Sequence, residues 1–260
     1  MDHTYLMDTL ARVARACGAI IRQASDSMIA ASEKSGVRDL VTAYDLQVQA
    51  YAVGELRAAF PGAGFIGEEG DTPKEAGAGL TFIIDPIDGT ANFVHHFHQS
   101  TTSIGCFLDG APYAGAVYNP FTDELFTALR GQGAQCNGRP IRVCACPMKE
   151  AMLLFGTSPY APEYAEATFS RARALYERSL DARRGGCASM DLCNVAAGRA
   201  GLYFEYSTCL WDYAAGALIV KEAGGICRTL EGGPLPRTAY EKTSIVAAAP
   251  GILEESGILS

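Results

Sequence analysis

Thr81-Phe82-Ile83-Ile84-Asp85-Pro86-Ile87-Asp88-Gly89-Thr90 begins as an apolar run and finishes as a polar turn. Its first four residues are β-prone and uncharged, which predicts a short strand buried on both faces. Pro86 and the Asp88-Gly89 pair then predict a tight turn out of that strand and into a short helix. Two carboxylates three residues apart on such a turn can converge on one point, and strand ends of this kind often carry catalytic groups.

Upstream, Leu6, Leu10, Val13, Cys17, Ile20, Ala24 and Met28 recur every three or four residues, so the first thirty residues read as one amphipathic helix. After a loop at Ser35-Gly36-Val37-Arg38, a second helix is expected from about Thr42 through Leu56, stopped by Pro61-Gly62, with a strand at 64–67. Downstream, Asp109-Gly110 and Asn119-Pro120 break the stretch from Ser103 to Ala128 into an antiparallel meander. Beyond Pro147 strands at 152–155, 202–205, 226–229 and 244–248 alternate with helices near 163–178, 188–199 and 211–223. A layered α/β fold follows, one domain over 1–260, with a sublobe of helices and antiparallel sheet over about 1–147 and an α/β sublobe over 148–260.

With 260 residues and 48% hydrophobic content the chain can bury a sizeable core. No run reaches the roughly 18 to 20 apolar residues of a membrane span, and the start lacks the pattern of a signal peptide, so a cytoplasmic protein is expected. A formal charge of −8 argues against nucleic acid or an anionic membrane as partner. An acidic protein that acts on an anionic ester needs a local reversal of the field, and a divalent cation supplies one. The nine cysteines read as buried free thiols; Cys144 and Cys146 can share one face of a strand, but no second pair completes a zinc site.

The candidate chemistry is carried by oxygen. Asp85 and Asp88 suit hard divalent ions, with Asp85 the candidate bridge between two of them, and the backbone after Gly89-Thr90 can meet a phosphate. Gly67-Glu68-Glu69-Gly70 sets two like charges side by side, which a nearby cation would explain, although a solvated acidic loop is the commoner meaning. Asp212, in Leu210-Trp211-Asp212, could simply match the N-terminus of a helix, and Thr42 with Asp45 makes a plausible capping box. The alternative for Asp45 is to orient or deprotonate a water. His95, His96 and His98 are read as loop histidines, since imidazole prefers softer ions.

Taken together, Gly67-Glu68-Glu69, the run from Asp85 to His95 and Trp211-Asp212-Tyr213-Ala214-Ala215-Gly216 closely resemble the signatures of the inositol monophosphatase family, and the resemblance spans the chain. It implies a five-layer αβαβα sandwich, Mg²⁺ dependence, a homodimer and sensitivity to lithium. It further implies one Mg²⁺ on Glu68, Asp85 and the Ile87 carbonyl, a second on Asp85, Asp88 and Asp212, and a third, weaker one near Glu68. Phosphate would lie against Gly89 and Thr90, Glu205 would bond a sugar hydroxyl, and Gly186, Cys187 and Ala188 would form the other substrate loop. The chain departs from the pattern at Cys187, where relatives carry Ser or Thr, at Tyr44, where Thr is usual, and at His96 and His98, where Arg and Pro are commoner.

The implied reaction is in-line attack of a metal-activated water on a small phosphomonoester, inositol monophosphate first, with Thr90 and Asp45 accepting the proton. Fructose-1,6-bisphosphate, histidinol phosphate and 3′-phosphoadenosine 5′-phosphate are the alternative substrates. Asp85 and Asp88 are separated by two residues rather than the one of aspartyl-phosphate enzymes, which argues against a covalent intermediate. A non-catalytic metal- or phosphate-binding scaffold is the reading from a different class.

Overall fold

The computed structural model describes residues 2–24, 31–36, 39–73 and 75–259. The chain opens with α1 (His3–Ala24), whose Leu6, Leu10, Val13, Cys17 and Ile21 form one buried stripe. The described part of the helix ends at Ala24, and Met28 lies outside the described residues. β1 (Ala31–Gly36) and β2 (Asp39–Thr42) pair antiparallel where a loop was expected; Val37 and Arg38 also lie outside the described residues. Thr42 then caps α2 (Ala43–Ala59), accepting from the amides of Tyr44 and Asp45 while Asp45 reaches back to the Thr42 amide.

β3 (Gly64–Gly67), β4 (Leu80–Asp88), α3 (Thr90–Val94), β5 (Thr101–Leu108), β6 (Ala111–Asn119), β7 (Glu124–Leu129), β8 (Ala134–Cys136) and β9 (Arg139–Ile141) follow. Their strands make one seven-stranded sheet in chain order, with β3 parallel to β4 and every later pairing antiparallel. β4 outruns its apolar start. It continues through Pro86 to Asp88, with an irregular register against β5 between Asp85 and Asp88. Pro86 has no N–H for the ladder, so the irregularity falls where pairing is weakest. The expected turn at Asp85-Pro86 is thus a bulged strand end, and the chain turns only at Gly89, where φ is 83°.

The second half supplies β10 (Met152–Phe155), α4 (Ala165–Tyr176), β11 (Asp181–Arg183), α5 (Ala188–Ala196), β12 (Leu202–Thr208), α6 (Leu210–Glu222), β13 (Ile226–Arg228), β14 (Thr243–Ala248) and α7 (Pro250–Ser256). Its sheet runs β11-β10-β12-β14-β13. α1 and α2 pack on one face of the larger sheet, α5 and α6 fill the space between the sheets, and the smaller sheet packs its other face against α4 and α7. The layers therefore run α, β, α, β, α, as the resemblance implied.

α6 lies at the centre of this layering. Leu210, Tyr213, Ala214, Ala215, Gly216, Leu218, Ile219 and Val220 are buried around its whole circumference, as expected of a helix held between two sheets. It approaches the larger sheet closely because β5 and β6 present glycines to it. A Cβ added at Gly105 would lie 2.8 Å from the Ala214 Cβ, and one at Gly115 would lie 3.1 Å from the Ala215 Cα.

Candidate active site

The end of β4, the N-termini of α3, α5 and α6, and β12 meet around one cleft. Glu68, Asp85, Ile87, Asp88 and Asp212 all line it, as do Gly89, Thr90, Gly186, Cys187, Ala188 and Glu205. Asp45 is not on its wall. It is fully buried behind Thr90, with Oδ2 accepting from the Thr42 amide at 2.7 Å and the Thr42 hydroxyl at 2.6 Å. Its Oδ1 faces the Thr90 hydroxyl at 3.4 Å, and that hydroxyl also lies 3.1 Å from the Ile87 carbonyl. Asp45 is thus the helix cap that the sequence suggested, and it also stands directly behind Thr90.

Asp212 likewise serves two purposes. Its Oδ2 accepts from the Cys209 amide at 2.7 Å, which caps α6, while the carboxylate lines the cleft. Burial pushes Asp212 well above the usual carboxylate range, and Asp88, Glu68 and Glu205 push it further. Asp85 is raised strongly too, first by burial and then by the charges of Glu68, Asp88 and Asp212. Glu68, Asp85, Asp88 and Asp212 stand close enough to repel one another, although they come from distant parts of the chain.

Asp88 is also raised by burial, but donors oppose the effect. Its Oδ2 accepts from the Ser189 amide and hydroxyl, each at 2.6 Å, and from the Cys187 thiol at 3.2 Å; Oδ1 takes the Ala188 amide at 3.3 Å. The Thr101 hydroxyl stands 2.6 Å from that of Ser189 and 3.3 Å from the Cys187 sulfur. Asp88 therefore sits in the N-terminus of α5, where unpaired amides and the helix dipole favour an anion. Ser189 and Thr101 were missed in the sequence. The only available signal was a serine two places after the Gly186-Cys187 turn, and nothing local tied it to Asp88.

The opposite wall carries two further buried carboxylates. Glu205 accepts from the Ser158 amide at 2.7 Å, the Ser158 hydroxyl at 3.0 Å and the Tyr203 hydroxyl at 2.6 Å. Asp191, another residue the sequence reading passed over, is raised well above the carboxylate range by burial, with Glu205 and Asp88 adding to the shift and Arg184 opposing it. Tyr160 and Arg184 complete this side. Glu69, by contrast, is not in the lining; its amide and carbonyl are held by the Gln49 side chain. His95, His96 and His98 stay outside the lining too, and His98 stacks on Phe121.

The donor set suits a hard divalent cation, because it consists of carboxylates and a backbone carbonyl. One observation points to such an ion directly: Asp85 Oδ1 is buried and accepts no hydrogen bond. An orphaned buried acceptor costs roughly 1–3 kcal/mol, more when charged, and a bound cation would remove that cost. Among the described residues no three His, Cys, Asp or Glu side chains already form a closed ligand cage. The fit therefore rests on the donor chemistry and on the Asp85 oxygen.

A model of the inositol monophosphatase family matches residues 2–259. The chain is similar to an inositol-1-monophosphatase of Bacillus subtilis, 35% identical over 239 residues, covering 92% of this chain and 89% of that protein. It is equally similar to the Nus factor SuhB of Escherichia coli, 35% identical over 231 residues, covering 88% and 86%. Among solved structures, an IMPase of Thermotoga maritima superposes with a TM-score of 0.87 at 30% identity, over 97% of this chain and 95% of that one. The four-carboxylate cleft lies inside a match that runs the length of the sandwich, and the chain belongs to the inositol monophosphatase family as a phosphomonoester hydrolase.

Proposed function

We propose that the chain dephosphorylates a small polyol monophosphate, inositol monophosphate above the alternatives, with Mg²⁺ as its metal. The observation that carries this reading is the meeting of Glu68, Asp85, Asp88 and Asp212 in one cleft, with a buried oxygen of Asp85 left for a cation. Glu68, Asp85, the Ile87 carbonyl, Asp88 and Asp212 would hold two ions, with a third, weaker one near Glu68; bound there, Mg²⁺ supplies positive charge for the phosphate and acidifies water.

The chain's own groups do the rest. The Thr90 hydroxyl accepts a proton from the attacking water and passes its own to Asp45 Oδ1, which stands 3.4 Å away. Thr42 pins the other Asp45 oxygen, so Oδ1 keeps its aim. The Gly89 and Thr90 amides would face the phosphate, and attack by water needs no covalent nucleophile. Glu205 keeps acceptor capacity for a substrate hydroxyl, because each carboxylate oxygen takes two bonds. The Cys187 thiol donates to Asp88 and so acts on that carboxylate rather than competing for the polyol. The same reading makes the enzyme cytoplasmic and homodimeric.

The test is phosphate release from a panel of sugar, inositol and nucleotide monophosphates, with Mg²⁺ or with a chelator, using the wild-type chain and Asp212→Asn. Inositol monophosphate should lead the panel, and chelation should abolish turnover. Asp212→Asn should lower kcat by at least a hundredfold at saturating Mg²⁺. Turnover that survives chelation, or a variant near wild type, would overturn the assignment; a panel led by another ester would correct the substrate alone.

A further inference from the structure

Cys144 and Cys146 lie away from the catalytic cleft, on the connector from β9 to β10, and their sulfurs are 2.9 Å apart. Unbonded carbon atoms rest at roughly 3.5–4.0 Å, and sulfur is the larger atom. No strand carries the pair, since β9 ends at Ile141; the chain bends at Cys146 and folds one thiol onto the other. Both thiols are free and partly exposed, and Ala145 between them is exposed, so small molecules can reach them. No third His, Cys, Asp or Glu completes a metal cluster among the described residues, so a structural zinc site does not explain the pair.

The pair is asymmetric. Cys146 donates its S–H to the Cys144 sulfur, and burial together with Cys144 pushes the Cys146 thiol up to about 11. Cys146 therefore keeps its proton and leaves Cys144 as the sulfur that attacks first. The backbone around the pair is anchored: the Val143 amide bonds the Ala223 carbonyl at 3.1 Å, and the Met148 amide bonds Glu255 at 2.7 Å. The two sulfurs are held near each other by the fold, which raises their effective concentration.

We propose that Cys144 and Cys146 form a thiol–disulfide exchange centre whose partner is a low-molecular-weight disulfide of the glutathione type. The Cys144 thiolate attacks one sulfur of that disulfide, breaks its S–S bond and expels one thiolate, leaving a mixed disulfide on Cys144. Cys146 then gives its proton to solvent, attacks the Cys144 sulfur and expels the second thiolate. Two electrons pass from the protein to the small disulfide, which leaves as two thiols; excess thiol runs both steps backward. Disulfides of this transient kind are the sort found where thiols are normally kept reduced.

The sequence makes the test simple, because Arg142 and Lys149 bound a tryptic peptide, Val143–Lys149, that holds both cysteines and no others. The full chain is equilibrated with oxidised and reduced glutathione at graded ratios, acid-quenched, alkylated, digested and weighed. The doubly alkylated peptide should convert to an unalkylated one lighter by two hydrogens and free of glutathione. Cys146→Ser should trap glutathione on Cys144, whereas Cys144→Ser should acquire it at least tenfold more slowly. Phosphate release should be the same in both redox states and both variants, so the outcome is independent of the catalytic reading. A peptide that stays doubly alkylated under oxidising ratios, a stable glutathione adduct on the wild type, or a Cys146→Ser chain that takes up no glutathione would each overturn the proposal.

Discussion

Asp85 and Asp88 lie on the same bulged strand end, yet their surroundings are opposite. Asp88 receives four donors from the start of α5, while Asp85 keeps an oxygen that nothing satisfies. Ser189→Ala removes one donor from Asp88 and leaves the fully buried Thr101 hydroxyl short of its 2.6 Å partner. The expected result is a stability loss of about 1–2 kcal/mol and a severalfold rise in the Mg²⁺ concentration that gives half-maximal phosphate release. Ser189→Thr, which keeps the hydroxyl, should restore most of the Mg²⁺ response; if it does not, Ser189 matters only for packing. At this scale the sequence was legible where function concentrates residues in short runs, as at Asp85, Asp88, Gly89 and Thr90. It was silent on Ser189, whose bond to Asp88 spans 101 positions and leaves no local trace. Asp45 and Asp212 were ambiguous for a physical reason: a carboxylate at the third position of a helix caps it whether or not a site lies alongside.

Among elements, α6 sets the position of Asp212, and its seat is cut to fit by small residues on β5 and β6. Gly115→Val would drive its side chain toward the Ala215 Cα, 3.1 Å from the first added carbon, and toward the Ala215 carbonyl oxygen at 3.2 Å. Both are backbone atoms of a helix that cannot retreat from the second sheet. The variant should lose about 1–3 kcal/mol in chemical denaturation, and kcat should fall because the helix that carries Asp212 is displaced. Unchanged kcat in the folded variant would show that α6 moves without carrying Asp212 away. Helices and strands with strong periodicity or clear stops were read closely, among them α2, β10 and α5. β8, β9 and β11, each three residues long, were not. The pairing of β1 with β2 was not read, since only Ser35-Gly36-Val37-Arg38 was expected as a loop and the mostly polar β1 carries no apolar alternation.

For the molecule as a whole, the layering came from the family resemblance, since periodicity does not reveal that β14 pairs between β12 and β13. That arrangement concentrates charge at one spot in an acidic protein. Burial holds Asp85, Asp88 and Asp212 above the ordinary carboxylate value of 3.8, with neighbouring carboxylates adding to the shift at Asp85 and Asp212, so above that value the folded state binds more protons than the unfolded chain. Their contribution to stability is present in acid and is lost as pH rises through the raised folded values. In chelator, Tm should fall as pH rises from the ordinary value of 3.8 through the raised folded values, and saturating Mg²⁺ should remove most of that slope, as scanning calorimetry can show. A Tm in chelator that rises across this range would show that the carboxylates are not mutually strained.

The lateness of α6 in the chain has a consequence for biosynthesis. A ribosome delivers Asp85 and Asp88 long before Leu210–Glu222 emerges, and until then the inward face of the seven-stranded sheet lacks the helix that covers it. Nascent chains paused before that point display an apolar surface of the kind that chaperones hold. On the proposed assignment, a product truncated before α6 lacks Asp212 and should release no phosphate, because that carboxylate arrives with the same helix that seals the interior.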